Sequence, residues 1–223
     1  MNEQVLVVFP HPDDEAFGVA GTILAHTQEG IPVTYVCLTL GDMGRNLGSP
    51  PFANRETLSD IRKTELDEAC RQLGISDLRR FGIRDKMVEF TDQDVLAERI
   101  FDVIEDVNPS LVITFYPGYA VHPDHDAAGF AAVNAVKKLP KGERPTVYAL
   151  AFKEGCEEVL GEPDVVRDVR PFAEQKLKVI EAHQSQTSGM IESMRNQLLG
   201  LEEDVKSHLT FERFWTYPVD EDD

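Results

Sequence analysis

The chain has 223 residues, 42% of them hydrophobic and 28% charged, which supplies enough apolar material for a buried core. Acidic residues outnumber basic ones 40 to 22, and the net charge of −18 argues against nucleic acid and anionic membranes as partners. No stretch approaches the roughly 20 apolar residues of a membrane span. No basic leader precedes the first apolar run, and Cys37, Cys70 and Cys156 form no CxxC pair, so a cytoplasmic protein with reduced thiols is expected.

In chain order, Val5 to Phe9 is a continuous apolar run, the pattern of a parallel strand buried on both faces. Gly18 to Gln28 has helical spacing, and Val33 to Leu40 reads as a second strand. Residues 41 to 55, GDMGRNLGSPPFANR, are rich in glycine and proline and read as a loop, long enough to serve as a mobile rim with Arg45 as a contact. A helix over Leu58 to Leu73 stops at Gly74, and a short strand spans Leu78 to Phe81. Asp94 to Val107 reads as a helix capped by Thr91 or Asp92, Leu111 to Tyr116 as a buried strand, Asp126 to Lys138 as a helix and Thr146 to Phe152 as a strand. Pro171 to Ala182 and Met190 to Ser207 look helical, with HQSQTSG between them; FERFWTYP reads as a last extended segment and VDEDD as a solvated tail.

This alternation predicts an α/β fold: a Rossmann-like, mostly parallel sheet with helices on both faces and a C-terminal helical addition. One domain over 1–223 is expected, with its α/β core in 1–152, helices and an extended segment in 153–218, and the tail in 219–223. Gly18 and Gly21 do not make a dinucleotide fingerprint, and no Walker loop is present.

Two loops share one vocabulary. HPDDE, residues 11 to 15, follows the first strand, and HPDH, residues 122 to 125, follows the strand ending near Tyr116. In the strand order 3-2-1-4-5 these two strands are neighbours where the order reverses, the place where open α/β sheets bind ligands. Three consecutive acids beside His11 repel one another unless a cation lies among them. His11, Asp14 and His125 supply two imidazoles and a carboxylate, the donor set of a catalytic zinc site with an open position. Each loop alone would read as a polar turn capping a helix; together they point to a site.

At these residues the chain resembles the LmbE-like, or PIG-L-like, zinc-dependent N-acetylglucosaminyl deacetylases. HPDDE and HPDH are the signature, and LTLGDMG at 38 to 44, IRKTEL at 61 to 66, IRD at 83 to 85 and AHQSQ at 182 to 186 follow the family pattern in order. The resemblance implies that His11, Asp14 and His125 hold Zn2+, with Fe2+ also compatible. It implies that Asp13 is the general base, that a protonated His122 stabilises the oxyanion with Asp124 orienting it, and that Arg62 and Asp85 bind substrate. Without the family pattern, Arg62 and Glu65 read as a surface ion pair at i,i+3. In place of a tyrosine that some relatives carry two residues before HPDH, this chain has Ala120. The implied substrate is a small amino-sugar conjugate; the stretch from Val5 is most similar to the N-acetylglucosaminyl-malate deacetylases of bacillithiol biosynthesis. Relatives often assemble, so a homo-oligomer is an expectation too.

A different reading takes His11-x-Asp13 and a second histidine as the ligands of a non-haem iron oxygenase. Those enzymes usually sit on all-β barrels, and this chain alternates strands with helices.

Overall fold

The computed structural model describes residues 3–199 and 209–221. The first strand, β1 (Val5–Phe9), pairs in parallel with β2 (Val33–Thr39) on one side and with β4 (Leu111–Phe115) on the other. β3 (Asp77–Ile83) flanks β2, and β5 (Thr146–Leu150) flanks β4, both in parallel. Side chains alternate across β1: Val5, Val7 and Phe9 enter one core, and Leu6 and Val8 the other. Both faces are therefore buried, which is why the strand reads as an unbroken apolar run. Helices α2 (Ala20–Gln28), α3 (Leu58–Leu73) and α7 (Ala173–Ala182) cover the first core, with Ile23, Leu66 and Leu177. Helices α4 (Gln93–Val107) and α5 (Pro123–Lys137) cover the second, with Ile100 and Ala128.

The full order is β3-β2-β1-β4-β5-β7-β6, so the expected reversal falls between β1 and β4. The extended segment FERFWTYP joins the sheet: β7 (Phe211–Thr216) runs antiparallel to β5, and β6 (Val165–Asp168) pairs antiparallel on its other side. The C-terminal addition is thus strands as well as helices. Neither β6 nor the short helix α6 (Cys156–Leu160) is legible in the sequence, since each is only four or five residues long. From β7, the buried Glu212 carboxylate accepts two amides in the first turn of α2, Gly21 N–H at 2.9 Å and Thr22 N–H at 2.7 Å, and pairs with buried Lys176 at 2.6 Å. It satisfies donors that a helix start leaves orphaned.

The first helix differs from expectation. It begins earlier, as α1 (Asp14–Gly18), and breaks at Val19 before α2. The helix after HPDH also begins earlier, at Pro123, where a proline suits the first turn. HQSQTSG is not a plain linker but holds α8 (Gln184–Thr187), and the last predicted helix is α9 (Ile191–Leu199); its remainder, 200–207, and the tail end, 222–223, lie outside the described residues. Asp92 caps α4, accepting from Asp94 and Val95 N–H. The three cysteines are free and buried. No helix among the described residues is long and apolar enough to cross a membrane.

Candidate active site

The loops after β1 and β4 meet, and the side chains they bring together are electron-pair donors. His11 Nδ1 lies 3.2 Å from His125 Nε2, His125 Nε2 lies 3.2 Å from Asp14 Oδ1, and Asp14 Oδ2 lies 3.6 Å from His11 Nδ1. Three ligands of a tetrahedral zinc, each about 2.0–2.1 Å from the ion, would sit about 3.3 Å apart.

The tautomers sharpen this fit. His125 Nδ1 is 3.3 Å from the Ala120 carbonyl, so the ring donates there and its Nε2 lone pair faces His11. His11 Nε2 lies 3.2 Å from Asp85 and 3.4 Å from Asp124, without the angle of a hydrogen bond to either, so its proton belongs on that carboxylate side and its Nδ1 lone pair faces His125. Two imidazole nitrogens and a carboxylate converge on one point, an arrangement that a positive charge, whether a shared proton or a metal ion, satisfies. Burial alone would raise the Asp14 carboxyl, but the His125 and His11 imidazoles outweigh it and hold Asp14 well below the usual carboxylate range. Burial would likewise lower the His11 imidazole, and Asp124, Asp14 and Asp85 together raise it well above its ordinary value.

Two further groupings of donors share His11: His122 with His125, and Asp85 with Asp124 on the Nε2 side of the ring. Both Asp124 oxygens and one of the two Asp85 oxygens already accept backbone hydrogen bonds. Asp85 Oδ2 accepts Met43 N–H at 2.9 Å, and the Asp124 carboxylate accepts Lys86 N–H at 2.8 Å and Glu89 N–H at 3.3 Å. They lie behind His11, the position of carboxylates that orient a metal-binding histidine. Asp124 therefore meets its expected partner differently. Its carboxylate faces His11 and the 86–89 backbone, and its backbone N–H donates to His122 Nδ1 at 3.2 Å.

His122 is the N-cap of α5. Its Nδ1 accepts the Asp124 N–H, so in the neutral ring the proton sits on Nε2, whereas the sequence expectation has a protonated ring. Burial lowers its pKa, and the neighbouring His11 and His125 lower it further. Its ring is 5.0 Å from that of His11 and 5.2 Å from that of His125.

Asp13 is the N-cap of α1 and has φ 109, a conformation rare for a residue with a side chain. A buried network holds it. Its N–H donates to Glu15 Oε2 at 3.0 Å; Glu15 Oε1 accepts from His183 Nε2 at 2.6 Å; and the Tyr35 hydroxyl lies within reach of Glu15 Oε2 (3.1 Å) and the His11 carbonyl (3.2 Å). Burial pushes the Asp13 carboxyl up to about 6, against the Arg62 guanidinium that lowers it.

Arg62 is buried rather than on the surface. It donates to Asp13 Oδ2 at 3.0 Å, to the Gly41 carbonyl at 3.0 Å and to the Pro12 carbonyl. A Cβ at Gly41, which has φ 61, would overlap the guanidinium. Glu65 does not pair with Arg62; it accepts Ser185 N–H at 2.6 Å and Ser185 Oγ–H at 2.7 Å. One face of α3 thus ties the HPDDE loop to the HQSQ segment. The 41–55 loop is pinned as well, by Asn46 and Gln186 exchanging hydrogen bonds at 2.9 and 3.1 Å and by Gly48 N–H donating to the Ser185 carbonyl at 2.9 Å.

A cavity of about 490 Å³ opens over these groups. His11, Asp13, Asp14, His122 and His125 form its floor, with Arg62 and Asp85; Arg45 and Lys86 complete its cationic lining. Every expected site residue except Asp124 lines it, and Asp124 lies directly behind His11. Lys86 and Tyr35 are absent from the sequence expectation. The motif gave a signal for Glu15 and His183, which stand in HPDDE and AHQSQ, and none for Tyr35. Tyr116 and Tyr119 pack on each other, ring centres 5.5 Å apart, and do not line the cavity. Asp13 Oδ2 pairs with Arg62, and it is Asp14 rather than Asp13 that closes the triangle with the two histidines.

Comparison with known proteins agrees with this geometry. Residues 6–136, over half the chain, match the family model "PIG-L: GlcNAc-PI de-N-acetylase". The chain is 51% identical over 217 residues to the Bacillus cereus protein named "Probable N-acetyl-alpha-D-glucosaminyl L-malate deacetylase 2", covering 97% of this chain and 99% of that one. A Bacillus subtilis protein of the same name is 49% identical, with 97% and 98% covered. Among solved structures, N,N'-diacetylchitobiose deacetylase from Pyrococcus horikoshii superposes with a TM-score of 0.71 at 24% identity, covering 97% of this chain and 84% of that one. The hydratase GalB superposes equally well, with a TM-score of 0.71 at 22% identity and 97% of each chain covered. The fold therefore hosts more than one reaction, and the family rests on sequence and on the site. The length of the family match and the identity to full-length relatives place this chain in the PIG-L de-N-acetylase family.

Proposed function

We propose that this protein hydrolyses the acetamido group of an N-acetylglucosaminyl conjugate, and that the conjugate is N-acetylglucosaminyl-L-malate. One observation carries the chemistry: His11 Nδ1, His125 Nε2 and the Asp14 carboxylate converge at 3.2–3.6 Å, with Asp13 beside them. These residues would hold a divalent ion, Zn2+ or Fe2+. When bound, such an ion polarises a carbonyl and brings the pKa of a bound water to about 7.

The chain's own groups do the rest. Asp13 accepts the proton of the attacking water, and its raised pKa suits a base that must later return that proton. Arg62 fixes the Asp13 carboxylate, while the network through Glu15 and His183 fixes its backbone. As water adds to the amide carbon, negative charge builds on the carbonyl oxygen, and the His122 Nε2–H is the donor placed on the cavity floor to meet it. The C–N bond then breaks, Asp13 delivers the proton to the departing nitrogen, and acetate and a free amine result. The substrate follows from the identity of about half to the two Bacillus proteins across nearly their whole length.

The test combines metal analysis with amine release. Purified protein loaded with Zn2+ or Fe2+ is expected to free the amine of N-acetylglucosaminyl-L-malate faster than that of N-acetylglucosaminyl-inositol or N-acetylglucosamine. A metal-loaded protein that frees no amine from any of the three would overturn the proposal.

A further inference from the structure

Three cationic side chains line the cavity, and they are not equivalent. Arg62 is buried and committed to Asp13, Pro12 and Gly41. Arg45 and Lys86 are exposed, and neither side chain has a hydrogen-bond or ion-pair partner among the described residues. In a chain with 40 acids and 22 bases, idle cations beside an acidic site call for a reason. Their neighbours are engaged: Arg55 donates to the Gly44 carbonyl at 2.6 Å, and Arg84 lies 3.7 Å from Asp42.

The backbone holds both positions in place. Lys86 has φ 65, unusual for a residue with a Cβ, and its N–H donates to Asp124, the carboxylate behind His11. Its Cα is thereby fixed relative to the metal-binding loops. Arg45 follows Gly44 and precedes Asn46, the residue tied to Gln186.

We propose that Arg45 and Lys86 form an anion subsite that receives the carboxylates of the sugar's substituent and selects anionic conjugates over neutral ones. The proposal rests on the deacetylase reading and deepens it. A protein of net charge −18 repels a dicarboxylate, and two unpaired cations at the cavity offset that repulsion where the ligand enters. Arginine offers a planar fork for one carboxylate, and lysine a compact charge for another. Charge-assisted contacts of this kind change affinity by about 10- to 100-fold each.

The test compares N-acetylglucosaminyl-L-malate with the uncharged methyl glycoside of N-acetylglucosamine, using Arg45→Gln, Lys86→Gln and the double variant at low and high salt. The ratio of kcat/KM between the two substrates is expected to fall about tenfold or more in each single variant and further in the double. The loss should appear mainly in KM, and added salt should shrink it. A ratio that stays at the wild-type value overturns the subsite, whether both substrates suffer equally or neither does. If wild-type protein deacetylates neither substrate, the deacetylase reading fails on its own, and the subsite is judged by calorimetry with free L-malate. Binding to metal-loaded wild-type protein that is lost in the equally loaded double variant upholds it; equal binding to both, or none to wild type, overturns it.

Discussion

The HPDDE and HPDH loops use the same three residue types and put them to different work. In the first, the helix begins at the fourth motif residue, so Asp13 is the N-cap and His11 stands outside the helix. In the second, the helix begins at the proline, so His122 is the N-cap and His125 lies one turn inside. Moving the helix start by two residues decides which acid faces the cavity: Asp13 and Asp14 do, whereas Asp124 turns back to His11 and the 86–89 backbone. Both loops also contain one non-glycine residue at positive φ. In the first it is Asp13 itself, and in the second it is Val121, φ 68, spanned by a His122 N–H to Ala120 carbonyl bond of 2.8 Å. A γ-turn of this sense is rare and strained. Here it presents the Ala120 carbonyl that also receives His125 Nδ1.

The contrast between the loops can be broken at several places. The largest effect is expected for His125→Ala, which removes one corner of the donor triangle; metal content by atomic emission should fall to background, and amine release with it. Asp13→Ala should retain metal yet lose about 10²–10⁴ in kcat. An Asp13→Ala protein without metal would show that the first loop does not divide ligand and base as described. His122→Ala should keep metal and lose about 10²–10³ in kcat, because it removes one donor to the developing charge; a wild-type rate would dismiss that role. His183→Ala tests the support beneath the first loop. It strands the buried Glu15 carboxylate, at a cost of about 3–5 kcal/mol, read as a fall in Tm of roughly 6–20 °C. The smallest effect belongs to Val121→Gly, where relief of about 1–3 kcal/mol of strain is offset by glycine's greater freedom when unfolded, leaving Tm within a few degrees.

The sheet was legible because its central strands are short apolar runs and its turns carry glycine and proline. The reversal between β1 and β4, and with it the meeting of His11 and His125, followed from strand order alone. What escaped depends on contacts across long sequence separations. Glu15 reads as one more acid until His183, 168 residues on, accounts for it. By spacing alone Arg62 and Glu65 read as a helix-surface pair, since spacing cannot say which face is buried; the family pattern pointed Arg62 at the site, and both residues turn inward to different partners. The idle Lys86 is visible only against the paired arginines around it, and the earlier start of α1 was masked by its two leading acids, Asp14 and Glu15.

The Glu212 carboxylate carries a consequence for how the molecule is made. A ribosome delivers His11 and Asp14 almost at once, yet the α2 amides just behind them wait for an acceptor that emerges 191 positions after Gly21. Until the closing stretch of polypeptide slots between its two neighbouring strands, the start of α2 lacks the carboxylate that accepts its amides. A polypeptide cut short before residue 211 would leave the Gly21 and Thr22 amides and the Lys176 ammonium without their buried acceptor.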